Sequence, residues 1–300
     1  MQIIPITRIN VSDKRFCISY PLEDGILLAS IKKIGIIQPL ILLAPPPYTI
    51  VTGFKRLETA LRLGLTDIPS CIMVNITEKD ALLRSIHDNM GRALNIIEKA
   101  NCIEKMLHMA FSTEEVYDVM TLLSLSRHEK IAGRLRDIAG SDETMKCFIL
   151  KKDLSMQNIE TLLRFTSEEK DHIIEMLTPL HTTESIIREI LQMFHLIKVR
   201  KGAIDFSTII GTDDIYGLKA RLKTLTYPIL SSLEKGLKDI KIKCALPPNI
   251  DIKVDPFFEK EYIDILIRAK NPDEIRAALL KLNGVFDAGY IRSIFGLAKD

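Results

Sequence analysis

Three stretches of the chain hold residue types that could work on phosphate. The first is Gly53-Phe54-Lys55-Arg56. Glycine lets an anion approach the backbone, two cations can neutralise it, and a helix start adds unpaired N–H groups and a positive dipole end. The second is Asp88-Asn89-Met90-Gly91-Arg92. A carboxylate beside a carboxamide can hold a magnesium ion that bridges phosphates, so Asp88 and Asn89 are candidate metal ligands, with Arg92 adding charge. The third is Ser112 to Arg136. It reads as a helix over 113–122, a turn at Leu123-Ser124-Leu125, and a helix over 126–138 capped by Ser126. That second helix carries Arg127, His128, Lys130, Arg134 and Arg136. The layout is a helix-turn-helix in which the first residues of the recognition helix meet base edges and later cations meet phosphate. The turn lacks the usual glycine. Each stretch also has a plainer reading: a basic helix start, a polar helix end with Asn95 capping the next helix, and a solvated face of a bundle helix.

The elements that must position these residues follow from pattern. Residues 25–34 have helical apolar spacing and stop at Gly35. Leu40 to Leu43 and Tyr48 to Val51 read as a hairpin around Pro45-Pro46-Pro47. A helix opens near Gly53 and closes near Gly64, Ile68 to Val74 is a third strand, and a helix starts at Glu78. Residues 78–200 are almost wholly helical in pattern, with N-cap signals at Ser112-Thr113-Glu114-Glu115 and Thr182-Thr183-Glu184. Residues 201–215 read as a boundary, with Gly211-Thr212-Asp213-Asp214 as a loop. A helix is expected from Tyr216 to Leu237, then strands from the alternation of Ile240, Ile242, Ile250, Ile252 and Val254, another strand at Tyr262 to Ile267, and a helix opened by Pro272. The expected fold class is α+β in three parts: an α/β domain at 1–100, an all-α helix-turn-helix domain at 101–200, and a small α+β module at 201–300.

Bulk properties exclude several classes. Three hundred residues with 47% hydrophobic and 27% charged side chains can bury real cores, which tells against disorder. The formal net charge is only +2, so any DNA contact needs a local basic face. Five scattered cysteines, none in a CxxC pair, favour a reducing cytoplasm with buried thiols over a disulfide scaffold or zinc site. No signal peptide or membrane span is read, so the expectation is a cytoplasmic, soluble protein.

Taken in order, the boxes resemble the ParB partition family. Leu28 to Leu40 is similar to the family's first box, Gly53 to Arg56 stands where the family has Gly-Glu-Arg-Arg, and Asp88 to Ala100 is similar to Glu-Asn-x-x-Arg-x-x-Leu-Asn-x-x-Glu-x-Ala. Glu114 to Val116, Ser126 to Arg136 and Asp153-Leu154-Ser155 continue the resemblance, which covers about 22–195. It implies a CTP-dependent clamp on double-stranded DNA, acting in chromosome or plasmid segregation or in transcription regulation. It further implies a nucleoid-associated homodimer with a ParA-type ATPase as partner. By position, Gly53, Lys55 and Arg56 would hold the triphosphate, Gly35, Gln38 and Pro39 would line the nucleotide pocket, and Asp88 and Asn89 would sit by Mg2+ with Arg92 nearby. Phe54 replaces the family's acidic residue and removes a carboxylate that could orient water. Lys55 replaces an arginine and loses bidentate phosphate geometry. No catalytic residue is therefore assigned, and any CTPase activity is expected to be weak.

Two other classes stay open. One is a phosphate-handling enzyme on the same fold. A small-molecule kinase would need Glu58 or Asp88 as base, and a sulfiredoxin would need a cysteine where Phe54-Lys55 stand. The other is a helical interaction protein without either ligand.

Overall fold

Short apolar runs bounded by turn residues build the N-terminal sheet. In the computed structural model, which describes residues 1–209 and 214–297, β1 (Gln2–Pro5), β2 (Leu40–Leu43), β3 (Thr49–Thr52) and β4 (Asp67–Met73) lie in the order β1-β4-β2-β3. The expected hairpin is present, with β2 and β3 antiparallel. β4 runs parallel to β2, with Leu40 opposite Ser70, and antiparallel to β1. Parallel neighbours need a crossover, and here it contains α2 (Phe54–Arg62). Leu40, Leu42, Ile50 and Ile68 are fully buried.

The chain is α+β, and its contacts divide into Met1–Thr178 and Pro179–Asp300. In the first unit, α1 (Gly25–Ile34) and α3 (Glu78–Asn89) accompany the sheet, followed by α4 (Ile96–His108), α5 (Thr113–Leu122), α6 (Glu129–Ala139), α7 (Glu143–Lys151), α8 (Met156–Leu163) and α9 (Ser167–Leu177). No division falls at residue 100, because α4 packs against α3 on one side and α6 on the other. The second unit holds α10 (Glu184–Lys201), α11 (Ile215–Thr226), α12 (Pro228–Cys244), the antiparallel pair β5 (Ile250–Lys253) and β6 (Asp264–Ile267), α13 (Pro272–Asp287) and α14 (Tyr290–Leu297). The division lies before α10 rather than near residue 200, because α10 packs on α11.

Several expectations needed correction. The single helix over 216–237 is two, parted where Pro228 opens α12 at its first turn. Ile240 and Ile242 lie in α12, not in a strand. The strand pattern holds only from Ile250, where Ile250 and Ile252 are buried and Asp251 and Lys253 exposed. Of the loop expected at Gly211-Thr212-Asp213-Asp214, the first three residues lie outside the described residues, and Asp214 caps α11. The cysteines are all free, but Cys147 is exposed, while Cys17, Cys102 and Cys244 are buried. No described helix is long and apolar enough to cross a membrane.

Candidate functional site

A helix that starts without a cap leaves its first amides for another partner. In the first unit α1 and α3 to α9 each begin with a side chain accepting a first-turn N–H: Asp24, Thr77, Asn95, Ser112, His128, Asp142, Ser155 and Thr166. α2 does not. Its N-cap is Gly53 at φ 99°, with no side-chain bond, and its first helical bond runs from the Leu57 N–H to the Gly53 carbonyl at 3.0 Å. A Cβ at Gly53 would stand 3.0 Å from Leu40 Cγ and 3.3 Å from Arg56 Nε, so with φ 99° any side chain there is strained and crowded.

This helix start opens onto a cleft of about 290 Å³ lined by Gln38, Gly53, Phe54, Lys55, Arg56, Asp88, Asn89 and Arg92, with Ser19, Leu27 and Gly91 completing the wall. Six of the eight nucleotide-pocket residues expected from the sequence therefore meet in one place. The other two do not line it. Gly35 ends α1 at φ 76°, and Pro39 offers only its carbonyl, to Arg56.

The cations in the cleft are not equally free. Arg56 Nη1 donates to the carbonyls of Gln38 (2.7 Å) and Pro39 (2.8 Å), which fixes the loop before β2. Its Nη2 lies 3.8 Å from Asp88 Oδ2. Burial pushes the Arg56 guanidinium below its ordinary pKa, and Asp88 offsets part of that. Lys55 Nζ sits 3.5 Å from Asp24. Asp24 is held below the usual carboxylate value first by the Leu27 N–H and then by Lys55. Phe54 is buried, with Lys14 Nζ 5.8 Å from its ring centre. It cannot orient water. Asp88 is the only carboxylate among the lining residues.

Arg92 is the most committed cation. Its two terminal nitrogens donate to Glu98 Oε1 and Oε2 at 2.6 and 2.7 Å, and Nη2 also donates to Asn89 Oδ1 at 3.1 Å. Glu98 is 1% exposed. Its hydrogen bonds push the Arg92 pKa up. Asn89 Oδ1 is thus engaged, and among the described residues no cluster of three or more His, Cys, Asp or Glu could hold a metal by itself. Asp88, whose nearest cation lies beyond hydrogen-bond reach, is the protein oxygen that fits a magnesium ion carried on a polyphosphate.

The opposite wall was not read from the sequence. Residues 14–20, of which Ser19 lines the cleft, form an irregular strap outside any sheet, with a turn at 15–16. Alternate carbonyls along it accept from side chains of α3 and of the start and body of α4: Lys14 from Lys105 Nζ (3.0 Å), Phe16 from Ser85 Oγ (2.8 Å), Ile18 from Asn101 Nδ2 (3.1 Å) and Tyr20 from Asn95 Nδ2 (2.7 Å). The Tyr20 N–H donates to Glu98 at 3.2 Å. The Tyr20 hydroxyl donates to Glu143 Oε1 at 2.8 Å and lies 3.4 Å from Cys147 Sγ, both on α7. Burial, then Cys147 and Glu143, push the Tyr20 pKa up.

The helix-turn-helix stretch differs in detail from expectation. α5 ends in a Schellman turn: the Leu125 N–H bonds the Met120 carbonyl at 2.8 Å and the Ser124 N–H bonds Thr121 at 2.9 Å. Ser124 takes φ 57° and does the work usually given to glycine. α6 starts at Glu129, not Ser126, because His128 Nδ1 accepts from the Lys130 N–H at 3.1 Å. Ser126 and Arg127 lie in the longer turn. Arg127 reaches back to Glu114 (3.1 Å) and Asp118 (3.3 Å) on α5, and Arg134 pairs with Glu160 at 2.5 Å. Lys130 and Arg136 are exposed. Across α5, the turn and α6, Arg127, Lys130, Arg134 and Arg136 are outnumbered by Glu114, Glu115, Asp118, Glu129 and Asp137.

The chain is similar to known proteins over part of its length. Residues 4–90 match the family model described as the ParB N-terminal domain. The chromosome-partitioning protein Spo0J of Thermus thermophilus is 32% identical over 92 residues, which is 30% of this chain and 34% of that protein. The nucleoid occlusion protein of Bacillus thuringiensis is 24% identical over 203 residues, 64% of this chain and 68% of that protein. A solved structure of Caulobacter crescentus ParB complexed to the centromeric parS site covers 63% of this chain at 18% identity and a TM-score of 0.33. The match spans only about a third of the Thermus protein. Residues 4–90, which hold nearly all of the sheet and most of the cleft lining, are thus similar to the ParB N-terminal domain.

Proposed function

We propose that the chain is a DNA-binding protein of the ParB partition type, and that its cleft takes CTP with Mg2+. The observation that carries this reading is the uncapped start of α2 opening onto three cations and one carboxylate. The amides of Phe54, Lys55 and Arg56 and the side chains of Lys55 and Arg92 would hold the phosphates, Arg56 would fix the Gln38–Pro39 loop, and Asp88 would face the metal. The nucleotide would bring a dense negative charge to a site that now balances its cations internally. Asp88, the only carboxylate in the lining, would be taken up by the metal, which leaves no second carboxylate to activate water, so the proposed role is binding rather than turnover. Duplex DNA would meet the α5–α6 segment, with Lys130 and Arg136 on phosphate and Ser126, Arg127 and His128 in the turn near base edges. The partitioning and nucleoid occlusion relatives support this placement on the nucleoid. A homodimer and a ParA-type ATPase partner follow from the same reading.

Calorimetry with CTP, ATP and Mg2+, with and without a duplex, is the test. CTP binding that is stronger than ATP binding and lost in Lys55→Ala is expected. No heat with either nucleotide would remove the cleft's assignment, and no duplex binding at low salt would leave a helical interaction protein.

A further inference from the structure

Arg92 has two claims on it. It lines the cleft, and it is the counter-ion of the buried Glu98. Glu98 and Asn95, at the first turn of α4, hold the N–H and the carbonyl of Tyr20. The Tyr20 hydroxyl then fastens the strap to Glu143 and Cys147 on α7. An anion in the cleft competes with Glu98 for the guanidinium. A carboxylate with 1% exposure is costly to leave unpaired. Glu98 must then draw more heavily on its other donors, which include the Tyr20 N–H, or the first turn of α4 must shift. Either response alters how Tyr20 is held.

We propose that Tyr20 is a latch through which an anion bound in the cleft sets how firmly the strap is fastened to α7. The ligand's identity rests on the reading above; the relay rests only on Arg92, Glu98, Asn95, Tyr20, Glu143 and Cys147. Tyr20 is a positioning residue, since it does not line the cleft. Reciprocity requires that opening the latch change the affinity of the cleft by the same factor that the ligand changes the latch.

Cys147 reports on the latch directly. It is exposed, whereas Cys17, Cys102 and Cys244 are buried and serve as slow internal references. Maleimide labelling of the full chain, mapped by peptide mass spectrometry, gives its rate. Tyr20→Phe should label Cys147 about 5-fold faster or more, in line with ordinary coupling between sites, and Arg92→Gln should do the same without ligand. CTP with Mg2+ should speed labelling in the wild type and add little in Tyr20→Phe. If Arg92→Gln melts cooperatively and labels at the wild-type rate, the latch is overturned. It is equally overturned if calorimetry shows CTP binding while the Cys147 rate stays constant. If Arg92→Gln speeds labelling but CTP, ATP and tripolyphosphate give no heat, the latch stands and the nucleotide assignment falls. Should Arg92→Gln not fold, the CTP affinity of Tyr20→Phe decides, and an unchanged affinity overturns the proposal.

Discussion

Replacing Arg92 by alanine should destabilise the first unit well before it says anything about ligands. The substitution strips the bidentate partner from a carboxylate that is 1% exposed, leaving it the backbone N–H groups of Tyr20 and Asn95, each at 3.2 Å. Removing one member of a fully buried pair costs about 3–5 kcal/mol. The Arg92 side chain is 38% exposed, so water can enter the gap, and about 2–3 kcal/mol is the better figure for a pair open on one side. For a unit of this size that corresponds to a melting point lower by about 5–10 °C. The chain has no tryptophan, so far-UV circular dichroism is the appropriate signal. Glu98→Gln in the Arg92→Ala background removes the orphaned charge and should recover most of the loss, a non-additivity expected only for residues in direct contact. An Arg92→Ala melt within 1 °C of wild type, or a double variant no better than Arg92→Ala, would refute the account of this pair.

Further outcomes follow from the same geometry. Gly53→Ala should cost about 1–3 kcal/mol, because φ 99° is strained for any other residue and the added Cβ meets Leu40, and CTP binding should be lost with it; calorimetry and melting read both. Asp24 has a depressed folded pKa, so its contribution is complete above the unfolded value, 3.8, and is lost as pH falls through the lower folded value; Asp24→Asn should flatten the melting profile in that acid range. Freeing Arg127 with Glu114→Gln and Asp118→Asn should raise duplex affinity about 2- to 5-fold in a filter or anisotropy titration, the scale of exposed ion pairs. Burial pushes the Cys102 thiol up to about 12, so it should resist alkylation in the native chain and react only on unfolding.

Local signals were legible and long-range ones were not. α1, the β2–β3 hairpin and α2 follow from apolar spacing and from Gly35, the proline run and Gly53, all within a few residues of the element they bound. The cleft was legible because its two halves, 53–56 and 88–92, each carry recognisable phosphate chemistry. The strap was not, because the side chains that hold its carbonyls come from 69 to 91 residues away. β1 is four residues at the chain start with no alternation to mark it. The α6 start was misplaced because serine is the commoner cap, while here the histidine two residues on accepts the bond. Ile240 and Ile242 misled because Ile240 packs on the core while Ile242, nearly opposite it on α12, is an apolar side chain left 66% exposed.

The acidic partners of Arg127 and Arg134 carry a consequence for how duplex binding would respond to salt. A cation that pairs with a carboxylate of its own chain must break that bond to reach a phosphate, and the carboxylate it leaves takes up a cation in place of the one released from the DNA. If all four α6-region cations were free, the logarithm of affinity would fall with that of salt at a slope near −3.6 per chain, about 0.9 for each phosphate neutralised. With Arg127 and Arg134 held by Glu114, Asp118 and Glu160, only Lys130 and Arg136, whose exposed contact with Asp137 is a loose 4.0 Å, contribute fully, and the slope shrinks to about −1.8. Weak salt dependence in this chain would therefore measure its internal pairing rather than a lack of contact with DNA.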